Sequence, residues 1–295
     1  MKERMSKIGV VILNYNSYQD TISLVENIQL QTVAQNIYII IVDNNSPNGS
    51  FEELFKYKLK YSNVEVLQTG ANLGYAKGNN FGLKYLEKNI HPDYVAILNN
   101  DIILPNNCFE KLIDKYSTLE NPAIIAPMER SPNGNAAILG PLRSFWEDIL
   151  SLSMLHRVLN KKKPVIVDNT NNQAMKVEVI GGSFMFSDFK RFKQLGYFYP
   201  KTFLYVEERF VAHAVKQQGF NNYVLLEESY IHDHSATINS FHNTYSKYKL
   251  WHNGLIEYTL VCRKYGRLKA GLLRILMTLS LLEIKTVHRI KGAFN

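Results

Sequence analysis

Residues 95–101 read Val-Ala-Ile-Leu-Asn-Asn-Asp, a short apolar run that ends abruptly in three polar residues. Two earlier segments share this design: residues 8–16 read Ile-Gly-Val-Val-Ile-Leu-Asn-Tyr-Asn, and residues 37–45 read Ile-Tyr-Ile-Ile-Ile-Val-Asp-Asn-Asn. Short apolar runs with polar ends are typical of buried parallel strands, whose carboxyl ends present polar groups to a ligand. The three segments therefore predict one polar crevice along one edge of an α/β sheet.

Strands and helices are predicted to alternate along the first 120 residues. The pattern predicts strands at 8–13, 37–42, 64–68 and 94–98, and helices at about 18–31, 50–58, 77–88 and 106–118. Such alternation is typical of a parallel sheet with helices on both faces. Farther along the chain, the sequence pattern predicts a strand over 177–186 broken at Gly181-Gly182, a helix over 205–218, a strand over 223–231 and helices after residue 240. The expected fold class is α/β, with a doubly wound, mostly parallel sheet and C-terminal helices.

The composition indicates a folded protein in a reducing compartment. Its 295 residues are 46% hydrophobic, which is enough for one large domain or two small ones. Two cysteines, Cys108 and Cys262, are too few for a disulfide framework or a zinc knuckle. The N-terminus lacks the apolar segment of a secretory signal, and the apolar run 275–282 is too short to span a bilayer. We therefore expect a cytoplasmic protein, and the net charge of +8 predicts an anionic partner.

Residues 69–80 read Thr-Gly-Ala-Asn-Leu-Gly-Tyr-Ala-Lys-Gly-Asn-Asn and connect a predicted strand to a predicted helix. Glycines allow backbone N–H groups to approach a ligand, and a helix N-terminus favours an anion. The glycine spacing matches neither the dinucleotide-binding fingerprint nor the Walker loop. A plain turn with a helix cap would explain Gly70 and Gly74. It would not require the polar set Asn72, Lys77, Asn79 and Asn80, so the segment predicts a nucleotide pocket.

Asp101 and a histidine pair are candidate metal ligands. Asp101 follows a strand, where a carboxylate and substrate phosphates can together hold Mg²⁺ or Mn²⁺. The alternative for Asp101 is a helix N-cap or an Asx turn before Pro105. His232 and His234 fall on the same side of a predicted strand end, which fits a metal or phosphate site or a purely structural pair.

Glu207 and Glu208 follow the aromatic run 203–205, so one of the two carboxylates is expected in a partly apolar environment. Such an environment raises the pKa of a carboxyl group and improves it as a general base. The alternative is a solvated acidic start to a helix. Gly181-Gly182, earlier in the chain, permits close approach of a bulky ligand.

Seven segments, in order across about residues 8–237, resemble the family 2 glycosyltransferases, particularly the rhamnosyltransferase-like branch of bacterial surface polysaccharide biosynthesis. The segments are 10–16, 42–46, 72–80, 98–101, 181–185, 203–208 and 232–235. The resemblance implies a GT-A fold, a nucleotide-sugar donor such as a dTDP- or UDP-sugar, a divalent cation (Mg²⁺ or Mn²⁺) and inversion at the anomeric carbon.

The resemblance also implies roles for individual residues. Asp101 would hold the metal and Glu208 would be the catalytic base, with Glu207 as the other choice. Asn99 stands where the family often has a first aspartate, so metal binding would rest on Asp101 with His232 or His234. The implied nucleotide-sugar-binding residues are Asn14, Asn16, Asp43, Asn45, Asn72, Gly74, Lys77, Asn79, Asn100, Gly181 and Gly182.

The expected domain organisation has a catalytic domain at 1–240 and a helical tail at 241–295. The nucleotide-sugar half covers about 1–105, and the acceptor half covers about 106–240. In the tail, leucines recur at helical spacing among basic residues, which predicts an amphipathic helix at the inner membrane surface. The alternative is a helix packed on its own domain or on a second subunit of a homodimer. The leucines are Leu268, Leu272, Leu273, Leu276, Leu279 and Leu282.

The expected activity is transfer of a sugar to a saccharide acceptor, carried on a lipid, in the assembly of capsule, O-antigen or cell-wall polysaccharide. A nucleotidyltransferase is one alternative, although residues 14–20 contain no Lys or Arg to grip a triphosphate. A nucleic-acid-binding protein is a second, but the basic residues cluster in the tail, so no nucleic-acid partner is expected. A catalytically dead scaffold is a third, because of Asn99 and Phe210.

Overall fold

The computed structural model describes residues 6–137, 140–152, 173–233, 244–264 and 266–293. Within these ranges ten strands form one sheet. The strands are β1 (Ile8–Asn14), β2 (Ile37–Asp43), β3 (Val64–Gln68), β4 (Tyr94–Leu98), β5 (Ile102–Ile103), β6 (Pro122–Arg130), β7 (Ala136–Ala137), β8 (Ala174–Val177), β9 (Phe184–Asp188) and β10 (Asn221–His232).

The helices cover both faces of this sheet and continue beyond it. They are α1 (Tyr18–Gln29), α2 (Ser50–Lys58), α3 (Gly74–Asn89), α4 (Cys108–Thr118), α5 (Phe145–Leu152), α6 (Phe189–Gln194), α7 (Glu207–Gln217), α8 (Thr244–Val261) and α9 (Arg267–Ala293). None of them, within the described ranges, combines the length and the apolar character that crossing a bilayer requires.

The first four strands form the parallel half of the sheet in the order β3-β2-β1-β4. β1 pairs in parallel with β2 on one side and β4 on the other, and the backbone register sets Asn14 opposite Asp43. Their rich content of Val and Ile suits strands that are buried on both faces. The predicted α/β class and the predicted strands are confirmed, and the polar ends of β1, β2 and β4 meet at one edge.

The second half of the sheet mixes strand directions. β9 runs antiparallel to β4 and β6, while β6 and the long strand β10 run parallel to each other. β5 and β8 add antiparallel pairings to β10. The single broken strand predicted over 177–186 is therefore wrong. β8 and β9 are separate strands that pair with different neighbours, and Gly181-Gly182 lies in the connection between them.

Two apolar clusters cover the two faces of the sheet, which confirms the doubly wound arrangement. One lies under α1, α2 and α4 and includes Leu24, Leu54 and Phe109. The other lies under α3, α6 and α7 and includes Leu83 and Phe192. The helices bury the sheet between them and leave its carboxyl edge for the loops.

A third apolar cluster joins the C-terminal helices to the start of α7. It contains Phe145, Leu152, Val206, Phe210, Leu255, Tyr258, Leu273 and Met277. A buried ion pair of 2.8 Å between Arg209 Nη1 and Asp148 Oδ1 ties α7 to α5 within the same region. The predicted boundary at residue 240 falls in 234–243, outside the described residues, so the domain division stays a prediction.

Gly74 offers a stability test with a matched control. Gly74 and Gly70 have nearly the same positive φ, +77° and +75°. A Cβ on Gly74 would lie 2.3 Å from the backbone oxygen of Phe203, whereas a Cβ on Gly70 would meet nothing within 4 Å. Gly70→Ala should cost roughly 1–2 kcal/mol of unfolding free energy from backbone strain alone. Gly74→Ala should cost roughly 1–3 kcal/mol more, because a backbone atom must move. Urea unfolding of both variants measures the difference, and equal losses would contradict the close approach.

Candidate active site

Buried hydrogen bonds hold the carboxyl ends of β1, β2 and β4 together. Asn14 Nδ2 donates to Asp43 Oδ1 at 2.7 Å, and Thr21 Oγ1 donates to Asn14 Oδ1 at 2.9 Å. Asn100 Nδ2 donates to Thr21 Oγ1 at 2.9 Å, which adds the end of β4. Asn14 and Asp43 have no exposed surface. These predicted site residues therefore form the floor of the crevice, and their direct contact with a nucleotide stays a prediction.

Asn44 connects this floor to the glycine-containing loop, a role that the sequence did not reveal. Its Nδ2 donates to Asn72 Oδ1 at 2.9 Å, and its Oδ1 accepts from the backbone N–H of Leu73 at 3.0 Å. Asn72 Oδ1 also accepts from the N–H of Gly74 at 3.0 Å. Asn45, which was predicted instead, is exposed, with φ +60°. The contact of Asn45 with a nucleotide stays a prediction, and the link made by Asn44 could be seen only in the geometry of the turn.

The first two turns of α3 contact two distant parts of the chain, Gly182 and the segment 198–203. The N–H of Tyr75 donates to the carbonyl of Phe203 at 2.7 Å, and the Tyr75 hydroxyl donates to the carbonyl of Gly182 at 2.5 Å. Asn80 exchanges two hydrogen bonds with the backbone of Phe198. Lys77 is exposed on the same turn. The structure thus brings the predicted glycine pair and the glycine-containing loop to one place.

Asp101 and His232 meet where β5 pairs with β10. His232 Nε2 lies 3.2 Å from Asp101 Oδ1, and the N–H of Asp233 donates to the Asp101 carbonyl at 3.0 Å. On the other side of the ring, His232 Nδ1 lies 3.0 Å from Glu129 Oε1. His234, the other predicted histidine, lies outside the described residues.

Glu129 is a site residue that sequence reasoning missed. Its Oε2 accepts from the hydroxyls of Ser183 at 3.0 Å and Tyr230 at 3.1 Å, while its Oε1 faces His232. The available signal was its place after the apolar run 122–128, the same pattern as Asp43 after the apolar run 37–42. Recognising it also required knowing that β6 pairs with β10. Glu129 thus links His232 to the segment that follows Gly181-Gly182.

The charges around Asp101 are mostly negative. Burial lowers the pKa of His232, but its contacts with Asp101 and Glu129 outweigh burial and raise the pKa to about 9. Burial tends to raise the pKa of Glu129, but hydrogen bonds from His232, Ser183 and Tyr230 leave it below the ordinary value. Burial, followed by the charges of Asp101 and Asp233, raises the pKa of Asp20. Such a field favours a bound cation.

The residues around Asp101 fit one face of a divalent cation. Asp101 Oδ1 is buried and accepts no well-formed hydrogen bond within the described ranges, although His232 Nε2 is close. A carboxylate oxygen and an imidazole nitrogen are ligands that Mn²⁺ accepts. In the described part of the chain, no group of three or more His, Cys, Asp or Glu residues is arranged to hold a metal. The remaining ligands would have to come from a substrate and water.

Glu207 and Glu208 stand at the start of α7, directly after a strained turn. Tyr205 and Val206 both have φ +71°, which is rare for a β-branched residue such as Val206. Gly254 of α8 packs closely against this turn, since a Cβ on Gly254 would lie 3.1 Å from the Tyr205 carbonyl oxygen. The predicted helix start at 205 therefore shifts to 207, and the turn places both glutamates in the first turn of α7.

The two carboxylates differ in exposure. Glu207 is 5% exposed, and burial raises its pKa to about 8, with the neighbouring charge of Glu208 adding to the shift. Glu208 is partly exposed, and its pKa is also raised by burial. A hydrogen bond from its own N–H and the charge of Arg209 lower the pKa, but burial has the larger effect. Burial and both carboxylates raise the pKa of Tyr75 as well. The starts of α3 and α7 therefore converge on one site with perturbed acids.

Comparison with known proteins establishes the family. The sequence profile described as glycosyl transferase family 2 matches residues 9–180, more than half of the chain. The chain belongs to glycosyltransferase family 2. This glycosyltransferase is 24% identical over 277 residues to the low-salt glycan biosynthesis hexosyltransferase Agl10 of Haloferax volcanii, covering 93% of the chain and 83% of the relative.

A second relative bears on the branch of the family. It is N-acetylglucosaminyl-diphospho-decaprenol L-rhamnosyltransferase of Mycobacterium tuberculosis, 26% identical over 133 residues, covering 37% of this chain and 41% of the relative. The predicted resemblance to rhamnosyltransferase-like members of family 2 is thus confirmed. The nucleotidyltransferase and nucleic-acid-binding alternatives are wrong as family assignments.

Solved structures confirm the fold. The glycosyltransferase superposes with a TM-score of 0.60 and 16% identity on a structure of GalNAc-T7 with UDP, GalNAc and Mn²⁺, covering 79% of this chain and 45% of the other. It superposes with a TM-score of 0.54 and 14% identity on residues 1–349 of Staphylococcus aureus TarS in complex with UDP, covering 90% and 69%. The predicted GT-A fold is therefore confirmed.

Glu207→Gln should change how stability depends on pH. The pKa of Glu207 in the folded protein, about 8, lies above its ordinary value of 4.5. Its contribution to stability is therefore complete below about pH 4.5 and is lost as the pH rises through 8. The amide cannot ionise, so the variant should gain stability relative to the wild type as the pH rises from 5 to 8. Urea unfolding at several pH values measures the trend.

The control for this prediction is Glu52→Gln. Glu52 also lies in the first turn of a helix, but it is exposed, so it tests the loss of a charge at a helix start without burial. A stability difference between Glu207→Gln and wild type that stays constant across this pH range would show that Glu207 ionises normally in the folded protein.

Proposed function

We propose that this glycosyltransferase moves a sugar, with inversion, from a dTDP- or UDP-sugar to a saccharide acceptor carried on a lipid. The reaction would serve the assembly of a surface polysaccharide such as capsule, O-antigen or cell-wall glycan at the cytoplasmic face of the membrane. Two relatives, a glycan hexosyltransferase and a rhamnosyltransferase named for a decaprenol diphosphate acceptor, support the reaction class. The UDP in both structural neighbours supports the class of donor.

One observation carries this proposal. Four predicted site residues each hold a buried side-chain oxygen that accepts no well-formed hydrogen bond in the described part of the chain. They are Asn16, Asn79, Glu207 and Asp101, whose Oδ1 lies 3.2 Å from His232 Nε2. Buried polar atoms without a partner are uncommon in folded proteins, because each costs free energy. Their coincidence with residues chosen from the sequence supports a polar ligand in this crevice.

In the proposed arrangement the catalytic domain covers about residues 1–240. The donor half, 1–105, holds the nucleotide over the floor formed by Asn14, Asp43 and Asn100. Asn16, Asn45, Asn72, Gly74, Lys77 and Asn79 would contact the nucleotide or shape its pocket. Gly181 and Gly182 would flank the sugar. The acceptor half, 106–240, brings the two glutamates at the start of α7.

A divalent cation, Mg²⁺ or Mn²⁺, would be held by Asp101 Oδ1 and His232 Nε2. When bound, it would neutralise the negative charge of the departing nucleoside diphosphate. Glu129 Oε1 lies 3.0 Å from His232 Nδ1, so it would orient the ring with Nε2 on the side of the cation. Carboxylates that orient metal-bound histidines in this way are common in metal sites. Asn99 carries no charge, whereas an aspartate at this position would add negative charge to the site. Asp20 and Asp233 would supply that negative charge instead.

Glu208 is the proposed catalytic base. It would accept the proton of the acceptor hydroxyl while that oxygen bonds to the anomeric carbon and the bond from that carbon to the nucleoside diphosphate breaks on the opposite face. Its partial exposure and raised pKa suit this role. Glu207 is buried beside it and accepts from backbone N–H groups, which supports a structural role for Glu207.

The metal site predicts graded losses of cation binding. Asp101→Ala should abolish Mn²⁺-dependent binding of a nucleoside diphosphate while the fold survives, because it removes a direct ligand. Glu129→Gln should weaken Mn²⁺ binding by roughly 10–100-fold, the usual effect of losing a residue that orients a ligand. Electron paramagnetic resonance of Mn²⁺ measures both, and ¹⁵N chemical shifts of His232 report its tautomer.

The matched control is Glu227→Gln, an exposed glutamate on β10. It should bind Mn²⁺ as the wild type does. Unchanged Mn²⁺-dependent affinity in Asp101→Ala would remove Asp101 from the metal site. Unchanged affinity and tautomer in Glu129→Gln would remove Glu129 from its positioning role.

The base assignment predicts a difference between the neighbouring glutamates. Glu208→Gln should keep donor binding and lose transfer by a factor of about 10² or more, the usual contribution of a positioned base. Glu207→Gln should lose less, because its side chain is directed into the protein. Measuring the rate of sugar transfer by both variants shows which glutamate is the base. If Glu207→Gln is inactive while Glu208→Gln keeps most of its rate, the base is Glu207.

A further inference from the structure

The last helix, α9, has two apolar faces on nearly opposite sides. At 100° per residue the two sets are separated by roughly half a turn. The inner face is buried and consists of Ala270, Leu273, Met277, Ser280 and Ile284. The outer stripe is exposed and consists of Leu268, Leu272, Ile275, Leu279 and Leu282. The single leucine stripe predicted from the sequence therefore divides, with Leu273 inward and Leu276 packed against the third cluster.

The inner face is already used to attach α9 to the domain. Leu273 and Met277 belong to the third apolar cluster, together with residues of α5, α7 and α8. Ser280 Oγ donates to the carbonyl of Leu152 at 2.7 Å, and the Lys269 ammonium lies 5.5 Å from the centre of the Phe145 ring. Because these contacts fix the helix, the outer stripe is held facing away from the domain. Leu268 is 92% exposed and Ile275 62% exposed.

The charge of the chain is concentrated around this helix. Residues 263–295 contain eight Lys and Arg residues and one acidic residue, so they hold seven of the eight net positive charges. The remaining 262 residues are almost balanced, with 26 basic and 25 acidic side chains. A row of aliphatic side chains within a strongly cationic segment is complementary to an anionic lipid surface.

We propose that the outer stripe of α9 docks this protein on an anionic lipid bilayer, with the helix lying along the surface. Leu268, Ile275 and Leu282 would enter the boundary between headgroups and acyl chains, and the surrounding Lys and Arg side chains would contact lipid phosphates. A second copy of the chain is the less suitable occupant. Pairing two such faces would bring seven net positive charges on each copy together, whereas anionic lipids attract them.

The position of α9 places the bilayer beside the acceptor half of the site. Arg274 of α9 borders a cavity of about 360 Å³ that Phe203 and Gly254 also line. Phe203 receives the hydrogen bond from Tyr75, and Gly254 packs against the turn before Glu207. A saccharide on a lipid would approach from this side, a step that rests on the proposed function. The docking itself does not rest on it.

The test uses the full chain and two pairs of leucines. Leu272→Gln with Leu279→Gln alters the outer stripe, and Leu30→Gln with Leu59→Gln is the matched control at exposed leucines elsewhere. Co-sedimentation is measured with phosphatidylcholine vesicles, with and without phosphatidylglycerol, at low and high salt. The wild type and the control should bind only the anionic vesicles, less at high salt. The stripe variant should lose binding by at least about tenfold.

Three results would overturn the proposal. The first is a wild-type protein that does not bind anionic vesicles, and the second is a stripe variant that binds them as well as the control does. The third is a wild-type dimer in light scattering that the stripe substitutions convert to a monomer, which would assign the face to a second copy. Equal thermal midpoints show that all variants are folded. Transfer to a soluble acceptor should be unchanged in the stripe variant, so loss of docking can be told apart from failure of the proposed reaction.

Discussion

The hydrogen bond from Asn14 to Asp43, with no exposed surface on either residue, ties together the carboxyl ends of β1 and β2. Parallel strands leave their last backbone and side-chain groups at one edge of the sheet, where they must find partners or water. Thr21 and Asn100 extend the same chain of hydrogen bonds to β4. The crevice thus has a buried, hydrogen-bonded polar floor, and Asn44 connects the glycine-containing loop to it.

The second half of the site depends on a different constraint, the pairing of β6 with β10. That pairing sets Glu129 beside Tyr230 and His232, and the short strand β5 then brings Asp101 to the other side of the histidine ring. Burial alone would lower the pKa of His232, but two carboxylates raise it. The two carboxylates hold the imidazole ring of His232 in one orientation, with Nε2 3.2 Å from Asp101 Oδ1.

The helices after the sheet pack against the turn that precedes Glu207 and Glu208. α8 supports the strained turn at Tyr205 and Val206, and α9 packs through its inner face onto the cluster that includes Val206. The carboxylates at the start of α7 are therefore positioned from behind by the C-terminal helices. This arrangement connects the surface that we propose for lipid docking to the residues that we propose for proton transfer.

The amino-acid sequence by itself determined the parallel half of the fold. The apolar runs 8–13, 37–42, 64–68 and 94–98 and the polar ends at Asn14, Asp43 and Asp101 are local patterns, so no knowledge of neighbours is needed to predict them. Only the tertiary structure decided which strands pair in the second half. Glu129 and Asn44 gain their roles from residues distant in sequence, and the run 177–186 divides because its two ends pair with different strands. The same reason applies to α9: helical periodicity detects apolar residues, but which of them face the domain depends on the helix against which they pack.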